Sequence, residues 1–310
     1  MNILITGGSG LVGSAIKRIC NNYNYNFIFA SSKDCDLTNY NETLNYFIKI
    51  KPDYVIHLAA YVGGLFKNMN NKVDMFEKNL LINYHVVKCS HKLKVKKLIS
   101  CLSTCIFPDK IKYPINENML HQGEPHYSNE GYAYAKRMLE IHSKKYCEEF
   151  KDNFICIIPT NIYGENDNFS LEDGHVIPAL IHKCYLAKNN NEKFVVRGSG
   201  KALRQFIYSK DLAELIMWVL DKYDDRENII LSVSEKDEVS IEYVARLIAK
   251  NFEYEHMIDF DVSYSDGQYK KTADNTKLLN KYGDYKFTTI EEGIKNSVLW
   301  FCNNYDICRK

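Results

Sequence analysis

A chain of 310 residues that is 45% hydrophobic and 25% charged holds enough apolar material for one large domain, or two unequal ones, around a substantial core. Its formal net charge of +1 offers no general attraction to nucleic acid or to a membrane surface, so an anionic ligand must be met by local basic clusters. The N-terminus has no basic segment leading into a long apolar one, and no stretch approaches membrane-spanning length, which makes the cytosol the expected compartment.

Residues 2–6 form a short apolar run that predicts a first strand, followed by Gly7, Gly10 and Gly13 and by a helical pattern over 14–20. Strand, glycine turn and helix in that order suit a dinucleotide. The glycines allow a tight turn, bring backbone N–H groups close to a pyrophosphate and let the helix pack on the strand, while the helix N-terminus favours negative charge. Gly7, Gly10, Leu11, Val12 and Gly13 are therefore candidate cofactor contacts. Residues 26–30 predict the second strand, whose end commonly carries an acidic residue where NAD is preferred. Here the chain reads Ser31-Ser32-Lys33, with no carboxylate before Asp34; hydroxyls and a positive charge favour a 2′-phosphate, hence NADP(H). Asp36 and Leu37 come next, then an amphipathic helix over 40–50, then an apolar strand over 54–60 whose Ala59 and Ala60 let a nucleotide lie close. His57, inside that strand, reads as a packed histidine and not a catalyst.

A helix over 73–92 leads to a fourth strand over 97–102, whose carboxyl end presents Ser103 and Cys105, the side on which open α/β sheets bind ligands. The ten cysteines include no CxxC pair and read mostly as small buried thiols; Cys105 alone is expected to face ligand. Tyr132 and Lys136 follow at helical spacing, which puts both on one face. The same spacing recurs at Tyr84/Lys88 and Tyr282/Lys286 among 23 tyrosines. Only Tyr132 lies between the strand that leads to Ser103 and the next strand, over 154–158. Lys136 is expected to lower the Tyr132 pKa toward neutrality, and the Ser103 hydroxyl to bond the same substrate oxygen.

A hydroxyl, a thiol, a phenol and an ammonium together suit proton movement around a ketone that a nicotinamide reduces. The predicted fold is α/β, a doubly wound parallel (Rossmann) sheet with a smaller, discontinuous α/β substrate domain. The expected boundaries are 1–163 with 204–234 for the NADP-binding domain and 164–203 with 235–310 for the substrate domain. A helix ending near Phe252 and capped by Ser240, and another over 290–303, complete the second part.

Four stretches, Ser103-Thr-Cys-Ile-Phe-Pro108, Tyr132-Ala-Tyr-Ala-Lys136, Pro159-Thr-Asn161 and Gly174-His-Val-Ile-Pro178, together resemble the GDP-L-fucose synthase family. These are the GDP-4-keto-6-deoxy-D-mannose 3,5-epimerase/4-reductases among the extended short-chain dehydrogenases/reductases. The likeness runs from the glycine turn to Gly267-Gln-Tyr-Lys-Lys271. The turn and the Tyr/Lys pair mark the superfamily, and Cys105 with His175 marks the subfamily.

The resemblance implies NADP(H) and a GDP-sugar as ligands. It also implies a homodimer in which the helices after Val73 and Tyr132 pair with those of a second subunit. Cys105 is implied as base and His175 as acid for epimerisation beside the ketone, followed by reduction at C4 with Tyr132 giving the proton. Pro159, Asn161, Ile162 and His175 join the implied cofactor contacts. Val176, Leu180, Lys183, Arg204 and Lys271 are the implied sugar-nucleotide contacts, with Arg204 and Lys271 suited to the diphosphate. Where many relatives place a tryptophan, this chain has Arg197, whose plane can also stack on guanine.

Two other readings use the same scaffold. A 4-epimerase or 4,6-dehydratase that keeps NAD bound would call for a carboxylate at the end of the second strand and a Thr-Asp-Glu-type triad in place of Ser-Thr-Cys. A non-enzymatic dinucleotide sensor would usually have lost the tyrosine or the lysine.

Overall fold

The computed structural model describes residues 1–264, 266 and 268–310. Gly267, which opens the 267–271 stretch of the resemblance, lies outside the described residues. In chain order the first part runs β1 (Asn2–Thr6), α1 (Leu11–Ile19), β2 (Asn26–Ala30), α2 (Tyr40–Ile50), β3 (Tyr54–His57), α3 (Leu65–Asn70), α4 (Lys72–Lys92), β4 (Lys97–Cys101), α5 (Glu130–Phe150), β5 (Phe154–Pro159) and β6 (Asn161–Tyr163). It continues with α6 (Val176–Asn190), β7 (Phe194–Arg197), β8 (Leu203–Arg204), β9 (Phe206–Tyr208), α7 (Ser209–Lys222), β10 (Ile229–Leu231), β11 (Val239–Ser240), α8 (Ile241–Asn251), β12 (Ile258–Asp261), α9 (Thr276–Tyr282) and α10 (Ile290–Asn303).

Six strands pair in the order β10-β5-β4-β3-β1-β2, every pair parallel. Because both faces of a parallel sheet are covered, its strands are mostly apolar, and successive side chains go to opposite cores. Ile3 and Ile5 of β1 pack with Ile16 of α1 and Ile216 of α7, whereas Leu4 between them packs with Val86 of α4 and Leu139 of α5. A third core joins Ile181 of α6, Phe194 of β7, Ile248 of α8 and Phe301 of α10. The expected cap on α8 is present, Ser240 Oγ accepting from Tyr243 N at 3.1 Å.

Several boundaries differ from expectation, α4 starting at Lys72 and β5 ending at Pro159, each one residue beyond it. The third strand stops at His57, not at 60, because its neighbour β1 ends at Thr6, the residue paired with His57; residues 58–60 have no ladder to join and leave the sheet. The fourth stops at Cys101, opposite Ile157 of β5. The first helix starts at Leu11, three residues before the expected 14. Helix propensity argues against including Gly13, but its missing side chain is what lets the helix approach the turn.

One buried cation stabilises the back of the sheet. Lys97, 5% exposed, donates from Nζ to the carbonyls of Val219, Leu220 and Tyr223 at 3.0, 2.8 and 3.0 Å, the carbonyls that end α7 without an intrahelical partner. Lys97→Met should cost about 3 kcal/mol, read as a lower midpoint with unchanged slope in urea unfolding.

Candidate active site

The carboxyl ends of β1 to β5 open onto one cleft of about 920 Å³. Its floor is the glycine turn. Gly7 has φ +71°, and a Cβ there would stand 2.8 Å from Ala59 N; a Cβ on Gly13 would stand 2.6 Å from Gly7 O. Side chains at either place would part the turn from its neighbours. Gly10 precedes α1 in extended conformation, and no side chain caps the helix. Its first N–H groups are therefore open to an anion, and the cradle fits a pyrophosphate.

Leu11 and Val12 line the same cleft, as do Ala59 and Ala60. So do Pro159 at the end of β5 and Asn161 and Ile162 of β6. At the end of β2, Ser31, Ser32, Asp36 and Leu37 lie in the wall, while Lys33 stands exposed beside it. Asp34 turns back on Ser31, accepting from its N–H at 2.8 Å and its hydroxyl at 2.7 Å, which holds the carboxyl below its usual range. The Ser31 hydroxyl is thus committed, leaving Ser32 and Lys33 as the free donors at this corner.

Helix α5 carries Tyr132 and Lys136 one turn apart, the Lys136 Nζ 5.8 Å from the Tyr132 ring centre. The expected lowering of the tyrosine pKa does not occur. Burial pushes the phenol well above 10, and the neighbouring thiols Cys105 and Cys101 add to it, while burial also lowers the Lys136 ammonium. Desolvation disfavours both charged forms, and Lys136 directs its Nζ to the Cys101 carbonyl at 2.7 Å. The phenol is therefore a proton donor through the neutral range.

The residue packed behind this pair is His57. Its Nδ1 lies 2.7 Å from Thr6 Oγ1 and its Nε2 lies 3.0 Å from Asn83 Oδ1. An amide oxygen only accepts, so Nε2 bears the proton and Nδ1 accepts from the threonine. Asn83 in turn donates to Ala135 O at 3.3 Å, next to Lys136. Burial pushes His57 down to about 3, so it is a neutral structural link from β1 to α5, as expected of a packed histidine.

After β4 the chain turns at Ser103 into a short 3₁₀ turn, Thr104–Ile106, with Cys105 N donating to Ser103 Oγ at 3.4 Å. Arg137, next to Lys136, pins this loop by donating to Ile106 O at 2.7 Å and Gly123 O at 2.8 Å. One helix thus supports phenol, ammonium and thiol loop together. Cys105 is half-buried in the cleft wall. Burial raises its pKa, opposed first by the Lys271 ammonium and then by the Ser103 hydroxyl. Contrary to expectation, Cys105 is not alone: Cys101 reaches the wall too, because the strand ends there with its carboxyl end toward the cleft.

His175 enters from the second lobe. It precedes α6 in extended conformation and spends no side-chain bond on capping the helix, so its ring is left for the cleft, which it lines. The residue is exposed, and the cleft walls around it hold the imidazole below its usual range by partial desolvation. Of the implied sugar-nucleotide contacts, Lys271 lines the cleft beside Cys105. The others do not line it. Lys183 donates to Val195 O at 3.0 Å, and Arg204 to Leu203 O at 2.6 Å. Arg197 stacks over Tyr264 at 4.8 Å, and Val176 is exposed while Leu180 is buried.

Several wall residues escaped the sequence reading, among them Tyr61, Asn129, Asp167 and Arg309. Asp167 belongs to an Asp-Asn-Phe run beside the motif segments, so proximity to them was its one signal. Arg309 had none: it arrives from the far end of the chain, its guanidinium donating to Asn166 O at 2.6 Å and its carbonyl accepting from Phe169 N at 2.8 Å.

Residues 3–233 match the NAD dependent epimerase/dehydratase family. The chain is 53% identical to the GDP-L-fucose synthase of Dictyostelium discoideum over 99% of this chain and 97% of that one. It is 48% identical to the probable GDP-L-fucose synthase of Drosophila melanogaster over 99% of each. The crystal structure of a GDP-L-fucose synthetase from Naegleria fowleri bound to NADP superposes with a TM-score of 0.95 at 48% identity, covering 100% of this chain and 95% of that one. With the parallel sheet, the glycine cradle and the Cys105–His175 cleft, these likenesses make the chain a member of the NAD dependent epimerase/dehydratase family, within its GDP-L-fucose synthase branch.

Proposed function

We propose that this cleft carries out the GDP-L-fucose synthase reaction, converting GDP-4-keto-6-deoxy-D-mannose to GDP-L-fucose by epimerisation at C3 and C5 and reduction at C4. The observation that carries this reading is the convergence of Cys105, His175 and Tyr132 on one cleft whose floor suits a dinucleotide. The cofactor is NADP(H), in keeping with the relative solved with NADP, and when bound it supplies the hydride for C4. Gly7, Gly10 and Gly13 would hold its pyrophosphate through the open N-terminus of α1, and Ser32 with Lys33 would meet the 2′-phosphate.

The 4-keto group acidifies the hydrogens on C3 and C5. Cys105 takes such a hydrogen as thiolate, aided by the Lys271 charge, and His175 returns one to the opposite face. Tyr132 then gives its proton to the C4 oxygen, with the Ser103 hydroxyl bonding the same atom. Lys136, held by the Cys101 carbonyl, keeps a positive charge beside Tyr132 that offsets the phenolate left when the proton goes to the C4 oxygen. These assignments draw support from position and proton affinity together.

Three further points belong to the same reading. Leu81, Tyr84 and Met138 leave apolar area exposed on α4 and α5, which supports a homodimer through those helices. All ten cysteines are free thiols, consistent with a reducing cytoplasmic location; no described helix is long and apolar enough to cross a membrane. The division into 1–163 with 204–234 and 164–203 with 235–310 is supported by the separate third core, although Tyr163, Phe206 and Tyr208 join that core from the first part and Ala273 and Leu278 join the first part's cores from the second.

The test is to incubate the purified protein with GDP-4-keto-6-deoxy-D-mannose and NADPH and identify the sugar by NMR. GDP-L-fucose is expected. A reduced sugar with unchanged configuration at C3 and C5 would leave only the reductase, and no consumption of NADPH would end the reading.

A further inference from the structure

Asn129 holds the N-cap position of α5, three residues before Tyr132. An asparagine there ordinarily accepts a hydrogen bond from an N–H of the first turn, yet this one makes no cap bond. Its Oδ1 is buried and has no partner among the described residues, and the residue lines the cleft. Asp167, on the loop that leads to His175, presents the same anomaly. It is 4% exposed; Oδ1 accepts from Asn168 N at 2.7 Å, but Oδ2 has no partner among the described residues. The nearby Arg309 guanidinium spends a donor on Asn166 O at 2.6 Å. Burial pushes the Asp167 carboxyl up to about 7. Asp167 also lines the cleft.

Folded proteins rarely leave buried acceptors unmet, and each such group calls for a partner that arrives later or a function that needs it free. Four such atoms belong to residues lining this one cleft, Asn68 Oδ1 and Thr160 Oγ1 being the others; Asn129 and Asp167 are the two that flank the chemistry, one on the element that carries Tyr132 and one on the loop that ends at His175. The chemistry of the ligand supplies what they lack. The carbonyl oxygen of the keto-hexose is a pure acceptor and faces the donors Tyr132 and Ser103. The sugar also offers hydroxyl donors at C2 and C3, each with one proton to give.

Resting on the reading of the cleft as a GDP-keto-sugar site, we propose that Asn129 and Asp167 are substrate-positioning residues that accept hydrogen bonds from the hydroxyl groups of the hexose. They hold the ring so that its C3 and C5 hydrogens face Cys105 and His175, and they select against sugars deoxygenated at C2 or C3.

The test uses Asn129→Leu and Asp167→Leu, near-isosteric and apolar, with Asp167→Asn as the conservative change that keeps an acceptor oxygen. Each leucine variant should raise the KM for the GDP-keto-sugar about 3- to 10-fold and leave the KM for NADPH unchanged. The Tm of Asn129→Leu should hold or rise, since an apolar isostere removes an unmet acceptor, whereas Asp167→Leu also deprives Asn168 N of its acceptor and is judged on the sugar KM. Asp167→Asn should stay near the wild-type KM. A purely structural role predicts the reverse, a fall in Tm with KM unmoved, and that result overturns the assignment.

A ligand-side measurement needs no variant. The wild-type enzyme should bind substrate analogues lacking the C2 or the C3 hydroxyl about 3- to 10-fold more weakly, and equal affinity for both analogues and the parent sugar would also overturn it. The penalty of each leucine variant should vanish with one of the two analogues. Wild-type turnover with unaltered sugar KM in both leucine variants sinks this assignment alone, whereas absent wild-type turnover sinks the reading of the cleft.

Discussion

Cys105→Ser should reduce the exchange of the C3 and C5 hydrogens with solvent deuterium by about 10²- to 10⁴-fold, while NADPH is still consumed on the unepimerised ketone. The hydroxyl that replaces the thiol is nearly isosteric in a half-buried wall position, so folding is preserved, but it cannot ionise in the working range. NMR of substrate in deuterium oxide reads the two carbons separately. Undiminished exchange at both would reassign the base.

The pH dependence of exchange in the wild-type enzyme follows from the same geometry. Burial raises Cys105, and partial desolvation lowers His175 although that residue is exposed, yet the competent form needs thiolate with imidazolium. Between the two pKa values the thiolate fraction rises with pH as steeply as the imidazolium fraction falls, so their product is level. Below the histidine pKa the imidazolium is complete and only the loss of thiolate remains; above the cysteine pKa the roles exchange. The profile of exchange against pH is therefore a plateau falling on both sides, broader than the ordinary values of about 6.5 and 8.5 would give. A narrow peak would mean the shifts do not persist in the working enzyme.

Tyr132→Phe should lower NADPH consumption with the keto-sugar by about 10²- to 10⁴-fold and leave solvent exchange at C3 and C5 in place. The substitution removes one oxygen and keeps the ring beside Lys136, so packing of α5 is retained. Because burial raises the phenol well above 10, the proton donor is fully present at neutral pH and no alkaline loss of reduction should be traceable to it below that range. Rapid-mixing fluorescence of NADPH measures the reduction, and deuterium incorporation measures the epimerisation. Loss of both in parallel would place Tyr132 in substrate binding, and loss of neither would remove it from the chemistry.

Much of the architecture was legible because its signals are local. An apolar run of strand length, a glycine turn and an amphipathic helix succeed one another within the first twenty residues, and each depends on neighbours a few positions away. The Tyr132–Lys136 spacing and the strand before Ser103 belong to the same class. His57 was legible too, since a histidine inside an apolar strand must be packed and satisfied, and Thr6 and Asn83 satisfy it.

What the chain order hid was everything set by burial or by distant segments. Spacing pairs Lys136 with Tyr132, but whether the pair favours phenolate depends on desolvation, and the folded environment reversed the expected direction. That the Arg197 guanidinium lies over the Tyr264 ring is a contact between segments far apart in the chain. Lys271 looked like a phosphate contact, and the fold sets it by the Cys105 thiol.

By itself the sequence determined the kind of molecule: a parallel sheet that presents a hydroxyl, a thiol, a phenol and an ammonium at its carboxyl end, because periodicity, turn chemistry and short motifs act over a few residues. Only the tertiary structure decided how those groups behave. Proton affinity and hydrogen-bond satisfaction depend on solvent exclusion and on partners such as Arg309 and Lys271, brought in from far along the chain.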